Sequence, residues 1–182
     1  FVAEGVVVHN STIVSVMWLP WTWLTRPAYR AIFASYDDKL VHRDAQKTLD
    51  IIQSGWYQDL IPATFGPSKS EKWSLKGDAV GYYKTTETGE RLSTTVKGAA
   101  TGFRGDAVVV DDALKAADAR SPLALETNIE WWDKTMSSRI NDEETSAYVI
   151  IGQRLHENDL PGHILRRDDE EKDNPDWRPY TK

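Results

Sequence analysis

The most informative segment for the fold is Ala107-Val-Val-Val-Asp111-Asp112, in which an apolar run ends in two adjacent acids. A short, continuous apolar run is typical of a strand that is buried on both faces, as in a parallel sheet. Comparable runs predict further strands at Ala31–Tyr36, Arg91–Val96 and Ala147–Ile151, and Val6–Val8 is a candidate for one more. The chain is therefore expected to contain a mainly parallel sheet, with the two acids at the end of one strand.

Helical patterns alternate with these strands. Apolar residues three and four positions apart predict a helix over Asp38–Ser54, and another whose apolar face runs from Leu125 to Ile140. Thr12–Leu24 is a third candidate, which Pro20 is expected to end or kink. This alternation predicts an α/β fold in which helices cover both faces of the sheet.

The remaining segments suggest the domain limits. Gly66–Gly89 is predicted to be a loop or hairpin. The charged, proline-bearing stretch 166–182 is predicted to be a linker or tail, which leaves residues 1–165 as one domain. The 182 residues carry no cysteine, no apolar run near the roughly 20 residues of a membrane span, and a net charge of -6. Because proteins that coat nucleic acid are usually basic, any contact with DNA is expected to be local or to need other domains or other subunits.

Asp111 and Asp112 are the strongest candidates for chemistry. Open α/β sheets bind ligands at the carboxyl edge of their strands, which is where these acids are predicted to lie. Two adjacent anions favour a bound cation, and Mg²⁺ carried by nucleotide phosphates would supply it. In this interpretation Asp111 orients the magnesium shell and Asp112 acts on the attacking water. The alternative is a strand that simply ends in a capped turn, and so short a motif does not separate the two.

Polar residues also follow the predicted strand Ala147–Ile151. Gln153 is a candidate to hydrogen-bond the γ-phosphate or the attacking water, and loss of that contact after hydrolysis would be a mechanical signal. Arg154 is a candidate phosphate ligand, and its alternative is a structural ion pair.

Arg104 lies between glycines just ahead of the Asp111 strand. An arginine in such a turn suits a charge donor to phosphate, either within its own subunit or as a finger into a neighbouring one. The alternative is a turn in which Arg104 pairs with Asp106.

The phosphate loop that an ATPase needs is the weakest signal. Asn10, Ser11 and Thr12 lie between Val6–Val8 and a predicted helix, so they are candidate nucleotide ligands, and the Ser11 hydroxyl is a candidate magnesium ligand. The usual glycine-rich loop, with a lysine before the Ser/Thr position, is not found there. Either residues are missing between His9 and Asn10, or the chain does not hydrolyse ATP.

Several modest segments occur in a characteristic order between Asn10 and Leu165. They are STIVSV (11–16), WLPW (18–21), ASY (34–36), RD (43–44), SGWY (54–57), GAATGFRGD (98–106), VVVDD (108–112), EWW (130–132), SR (138–139), GQRLH (152–156) and DL (159–160). In this order and spacing they resemble the ATPase domain of the large terminase subunit of tailed bacteriophages.

The resemblance implies a P-loop ATPase that uses ATP and Mg²⁺ to pump DNA into a preformed capsid. It implies that Asp111 and Asp112 fill the second acidic ATPase motif, in which many members carry aspartate and then glutamate. It also implies that Gly152-Gln153-Arg154 is the coupling motif and that Arg104 is a candidate finger into a neighbouring subunit. In close relatives the position of Asn10 holds the phosphate-loop lysine.

The implied partners are double-stranded DNA, the portal protein, the small terminase subunit and further copies in a ring, usually of five. The implied location is the host cell cytoplasm, with transient docking on the procapsid and no membrane. Large terminases normally continue into a nuclease domain, which is not expected in this chain because Asp168–Glu171 lies outside any strand pattern. Two other interpretations stay open: a helicase-like ATPase, and a catalytically impaired nucleotide-binding or scaffolding module, which Asn10 supports.

Overall fold

A six-stranded sheet forms the centre of the structure, a computed structural model that describes residues 2–3, 6–7, 11–66, 73–98, 100 and 102–173. The strands are β1 (Val2–Ala3), β2 (Val6–Val7), β3 (Arg30–Ser35), β4 (Leu75–Ala79), β5 (Tyr82–Thr85), β6 (Glu90–Thr95), β7 (Ala107–Asp111) and β8 (Ala147–Ile151). Their order in the large sheet is β4-β5-β6-β3-β7-β8. Strands β6, β3, β7 and β8 are parallel, and the β4–β5 hairpin pairs antiparallel with β6.

The predicted mainly parallel sheet is confirmed. Each of the four main strands lies within one residue of its predicted limits, and the hairpin falls inside the predicted excursion Gly66–Gly89. Of the candidate strand Val6–Val8, Val6 and Val7 pair antiparallel with Ala3 and Val2 in a separate two-stranded ribbon, and Val8 lies outside the described residues.

Helices cover both faces of the sheet, as predicted. They are α1 (Trp18–Thr25), α2 (Asp38–Gln53), α3 (Gly55–Phe65), α4 (Pro122–Lys134) and α5 (Leu160–Glu171). A π-helical turn, Thr12–Met17, leads directly into α1, and short 3-10 turns occur at Ala116–Asp118 and Met136–Ser138. On one face of the sheet, residues of α1, α2 and α3 such as Trp23 pack against strand residues such as Phe33. On the other face, residues of α4 and α5 such as Leu160 pack against strand residues such as Val108. Within the residues that the structure describes, no helix is long and apolar enough to cross a membrane.

Of the two effects predicted for Pro20, ending the first helical segment is not observed. Pro20 is the third residue of α1, directly after the wide π-helical turn, and the helix continues to Thr25. Proline disrupts the i→i−4 hydrogen bonds of the turn before it, and here that turn is π-helical, so its backbone already departs from the α-helical pattern.

The apolar helix face predicted from Leu125 to Ile140 does not belong to one continuous helix. Helix α4 ends at Lys134 because Thr135 adopts non-helical angles, and the buried Met136 belongs to the 3-10 turn that follows.

Two helical segments were not predicted from the sequence. Residues 166–171, in the stretch predicted to be a linker or tail, form the last turns of α5, which Asp159 caps and whose buried Leu160 and Ile164 pack in the core. Residues 174–182 lie outside the described part.

Helix α3 was not predicted because Gly55 and Pro62 interrupt its helical sequence pattern. In the structure, buried Tyr57 and Ile61 hold it against the core.

Candidate active site

Asp111 ends β7 at the carboxyl edge of the sheet, where two hydroxyls bind its carboxylate. Ser11 Oγ donates a hydrogen bond to Oδ1 at 3.1 Å, and Ser15 Oγ donates to Oδ2 at 2.7 Å. Burial raises the pKa of Asp111, and the two hydroxyl hydrogen bonds oppose that rise. The structure thus brings together Ser11 and Asp111, the two residues predicted as magnesium ligands, although 100 positions separate them in the chain.

Ser15 was missed in the sequence, although a signal for it exists. It is a second hydroxyl residue four positions after Ser11, and residues at that spacing share one side of a helix. Ser15 is 4% exposed, so its hydrogen bond to Asp111 is shielded from water.

Asp112 has a strained backbone and an exposed side chain. Its φ is +50°, in the left-handed region that non-glycine residues rarely adopt. Its N–H donates to Ile151 O at 2.9 Å, and its carbonyl accepts from the Tyr36 N–H at 3.0 Å, so the ends of β8 and β3 hold it. Such strain persists only where the surroundings impose it, and it is concentrated at functional sites. Aspartate adopts this region more readily than most residues, so a turn that ends β7 accounts for the conformation as well as a functional role does.

Gln153 lies beside Asp112, as predicted. Because β7 and β8 are parallel, the residues that follow them reach the same edge, and Asp112 and Gln153 line one small cleft there. Gly152 makes the close approach possible, since a Cβ at this position would meet Asp112 Oδ1 at 3.3 Å. The Gln153 side chain is exposed at this edge, where a ligand can reach it.

Arg154 forms the structural ion pair that was the alternative to phosphate binding. Its Nε donates to Asp159 Oδ1 at 2.9 Å, and the Asp159 side chain is only 4% exposed. Asp159 also accepts the Gly162 N–H at the start of α5. The guanidinium therefore holds the β8–α5 loop, and half of the Arg154 side chain remains exposed at the edge.

Arg104 is at the opposite edge of the sheet from the two acids. It precedes β7, and its Nη1 donates to Ile140 O at 3.4 Å. The five residues of β7 lie between Arg104 and Asp112, and the strand alone spans about 17 Å at ~3.3 Å per residue. The side chain is exposed and too far away to serve the site of its own subunit. The alternative pairing with Asp106 is also not formed, because Asp106 accepts from the Arg30 N–H and from Asn141.

The predicted nucleotide ligands at the start of the first helix differ in burial and in contacts. Ser11 is half-buried and contacts Asp111, whereas Thr12 is exposed. Asn10 lies outside the described residues.

A small cavity of about 50 Å³ beside Asp111 contains charged residues that were not predicted. Arg43 and Asp44 come from α2 and Arg91 comes from β6, and they line the cavity together with the two serines and the two acids. Nothing in the local sequence indicates that Arg43 and Asp44 face the same space as Asp111.

The donors around Asp111 fit Mg²⁺. A carboxylate and neighbouring hydroxyls are hard oxygen ligands, and Mg²⁺ in nucleotide sites is usually bound by one or two protein groups, with waters and phosphates completing its octahedron. Asp111 and Ser11 would hold the ion, and the Ser15 hydrogen bond fixes the orientation of the carboxylate.

No protein-family model and no curated protein matches the sequence at a significant level. The function is therefore inferred from the site and from the resemblance of the segments that build it.

Proposed function

We propose that the chain is an ATP-hydrolysing motor of viral DNA packaging, which couples ATP hydrolysis to translocation of double-stranded DNA into a procapsid. The observation that carries the proposal is the contact between Ser11 and Asp111. A nucleotide-bound Mg²⁺ needs a hydroxyl from the start of the first helix and a carboxylate from the end of a central strand, and these two elements meet here. The α/β fold and the ordered resemblance to large terminases support the same assignment.

Each predicted residue then has a role that its position permits. Asp111 and Ser11 bind Mg²⁺, which neutralises charge on the phosphates when nucleotide is present. Asp112, exposed at the same edge, orients the attacking water and accepts its proton. Gln153, across the cleft from Asp112, hydrogen-bonds the γ-phosphate or that water. Arg104 serves a neighbouring subunit, since its own site is out of reach.

Coupling to DNA requires partners that the resemblance suggests. These are double-stranded DNA, the portal protein, the small terminase subunit, and identical copies in a ring of about five. The chain would act in the host cytoplasm while docked on the procapsid.

The test is phosphate release by the purified chain with ATP, with and without Mg²⁺, followed by the same assay with portal-bearing procapsids. Hydrolysis that requires Mg²⁺ and rises with procapsids is the expected result, and Asp111→Asn should abolish it. Failure to bind MgATP at millimolar concentration would refute the proposal. ATP-driven separation of DNA strands, without stimulation by procapsids, would indicate a helicase-like ATPase instead.

The second candidate is a catalytically impaired nucleotide-binding or scaffolding module, and the observation that favours it is Asn10 at the expected lysine position. Sequencing the DNA between the codons for His9 and Asn10 separates the two. An additional segment that ends in lysine supports the motor, and a contiguous His-Asn-Ser-Thr supports the module.

A further inference from the structure

Arg43 is held above the cavity by its neighbour in the chain. Its Nε and Nη2 donate to the two carboxylate oxygens of Asp44, at 2.8 and 3.1 Å. Adjacent residues on a helix normally point in different directions, so this pairing requires the Arg43 side chain to fold back across the helix surface. The Asp44 side chain is only 11% exposed and therefore provides a fixed base for the guanidinium.

The other side of the Arg43 guanidinium is available to a ligand. The side chain is 53% exposed, and within the described part of the chain Nη1 takes part in no hydrogen bond. Arg43 lines the same cavity as Ser11 and Asp111, and the negative charge of Asp111 contributes to a raised pKa of Arg43, after the larger effect of the Asp44 hydrogen bond. A guanidinium that a carboxylate already orients loses little side-chain freedom when it binds phosphate.

A second arginine in the same cavity independently indicates an anion. Arg91 is fully buried: its Nη1 donates to Ser15 O at 3.0 Å and its guanidinium stacks on the Phe33 ring at 3.6 Å. Its Nη2 has no hydrogen-bond partner, and none of the ion pairs found in the described residues includes Arg91. The nearby Asp44 carboxylate stabilises the buried guanidinium without a direct ion pair, and Nη2 is left as a donor for a further anion.

The charged groups around this small space are unevenly distributed. Asp111 and Asp112 lie on the side of β7, whereas the side of α2 and β6 carries two arginines, Arg43 and Arg91, and one acid, Asp44, which is already paired with Arg43. A metal ion bound to phosphate needs this arrangement, since carboxylate binds the cation and guanidinium binds the phosphate oxygens.

We propose that Arg43 binds the terminal phosphate of the nucleotide whose Mg²⁺ lies at Asp111. The inference rests on the proposed function and adds to it a residue that senses the γ-phosphate. It also supplies a positive charge at the phosphates, which Asn10 does not carry at the lysine position of the resembling family.

The experiment measures the dissociation constants of Mg-ATPγS and Mg-ADP by calorimetry for the wild-type chain, Arg43→Ala and Arg43→Lys. Arg43→Ala should weaken Mg-ATPγS binding about 10- to 100-fold, which is the expected effect of one hydrogen bond to a charged group. Mg-ADP binding should change less than about threefold, because ADP lacks the phosphate that Arg43 contacts. Arg43→Lys should lie between the wild type and Arg43→Ala, since it keeps the charge and loses the planar guanidinium.

The matched control is Lys47→Ala, which removes an exposed positive charge from the same helix at a position outside the cavity. It should leave both dissociation constants unchanged. Equal losses for the two nucleotides in Arg43→Ala, or no loss, would overturn the inference while leaving the proposed function intact. A wild-type chain that binds neither nucleotide would overturn both. If Arg43→Ala does not fold, Arg43→Lys decides by the same comparison of the two nucleotides.

Discussion

Ser15→Ala should weaken the link between the first helical segment and Asp111, independently of any nucleotide. The Ser15 hydroxyl donates to Asp111 Oδ2 at 2.7 Å, and the residue is 4% exposed. Alanine cannot donate this hydrogen bond, so Oδ2 of a largely buried carboxylate is left without its donor. The folded state then loses an interaction that the unfolded chain does not make.

The expected loss follows from the type of bond. A hydrogen bond to a charged group contributes about 1.5–3 kcal/mol to the free energy of unfolding, and the short distance and the burial favour about 2 kcal/mol or more. Ser15→Ala alone will show less than this, because alanine is favoured over serine in a helix by roughly 0.5 kcal/mol. A double-mutant cycle with Asp111→Ala cancels the helix term and isolates the interaction between the two side chains.

The assay is urea unfolding of the wild type, Ser15→Ala, Asp111→Ala and the double variant, followed by tryptophan fluorescence in a buffer with EDTA. The free energies of unfolding should give a coupling energy of about 2 kcal/mol. The matched control replaces Ser15→Ala by Ser54→Ala. Ser54 follows the far end of α2, and that 16-residue helix is about 24 Å long.

The control cycle should be additive within about 0.5 kcal/mol, as is usual for distant sites. If the coupling between Ser15 and Asp111 is equally small, the hydrogen bond does not hold the first helical segment to β7. The arrangement of the candidate site around Asp111 would then be wrong, whatever the protein binds.

Three other outcomes test the site and the core. Asp112→Asn should leave nucleotide binding near normal, because asparagine also tolerates a positive φ, and should reduce steady-state ATP turnover about 10²- to 10⁴-fold; unchanged turnover would contradict its role. Arg104→Ala should reduce ATP turnover more in the assembled ring than in the isolated subunit, and equal losses in the two states would exclude a role in a neighbouring subunit. Burial raises the pKa of Tyr83 to about 12, so the folded state keeps the phenol proton that the unfolded chain releases near its ordinary value of 10. Stability from this group is present below pH 10 and declines as the pH rises towards 12, so Tyr83→Phe should show a smaller fall in melting temperature between pH 9 and pH 11. Parallel declines in the two proteins would contradict this assignment.

Much of the fold could be predicted because its signals are local. The apolar runs of β7 and β8 and the 3.6-residue periodicity of α2 are properties of short segments, and each forms the predicted element. The helices that could not be predicted from the sequence are those in which tertiary contacts override the local sequence pattern. Helix α3 forms despite Pro62, and α5 continues through charged residues because its apolar side packs in the core.

The candidate site divides in the same way. The sequence predicts that two acids follow one buried strand and that Gln153 follows another. Because the two strands are parallel, all three residues lie at the same edge of the sheet. Only the tertiary structure decided that Arg104 lies at the opposite edge, that Arg154 pairs with Asp159, and which residues join Asp111 from distant segments. The residues that follow a strand can be identified from the adjacent sequence. Ser15, Arg43 and Arg91, in contrast, come close to Asp111 only because the helices and strands that carry them pack together. Which side chains share a cavity depends on how helices and strands are placed against each other, and that placement is set by the whole core.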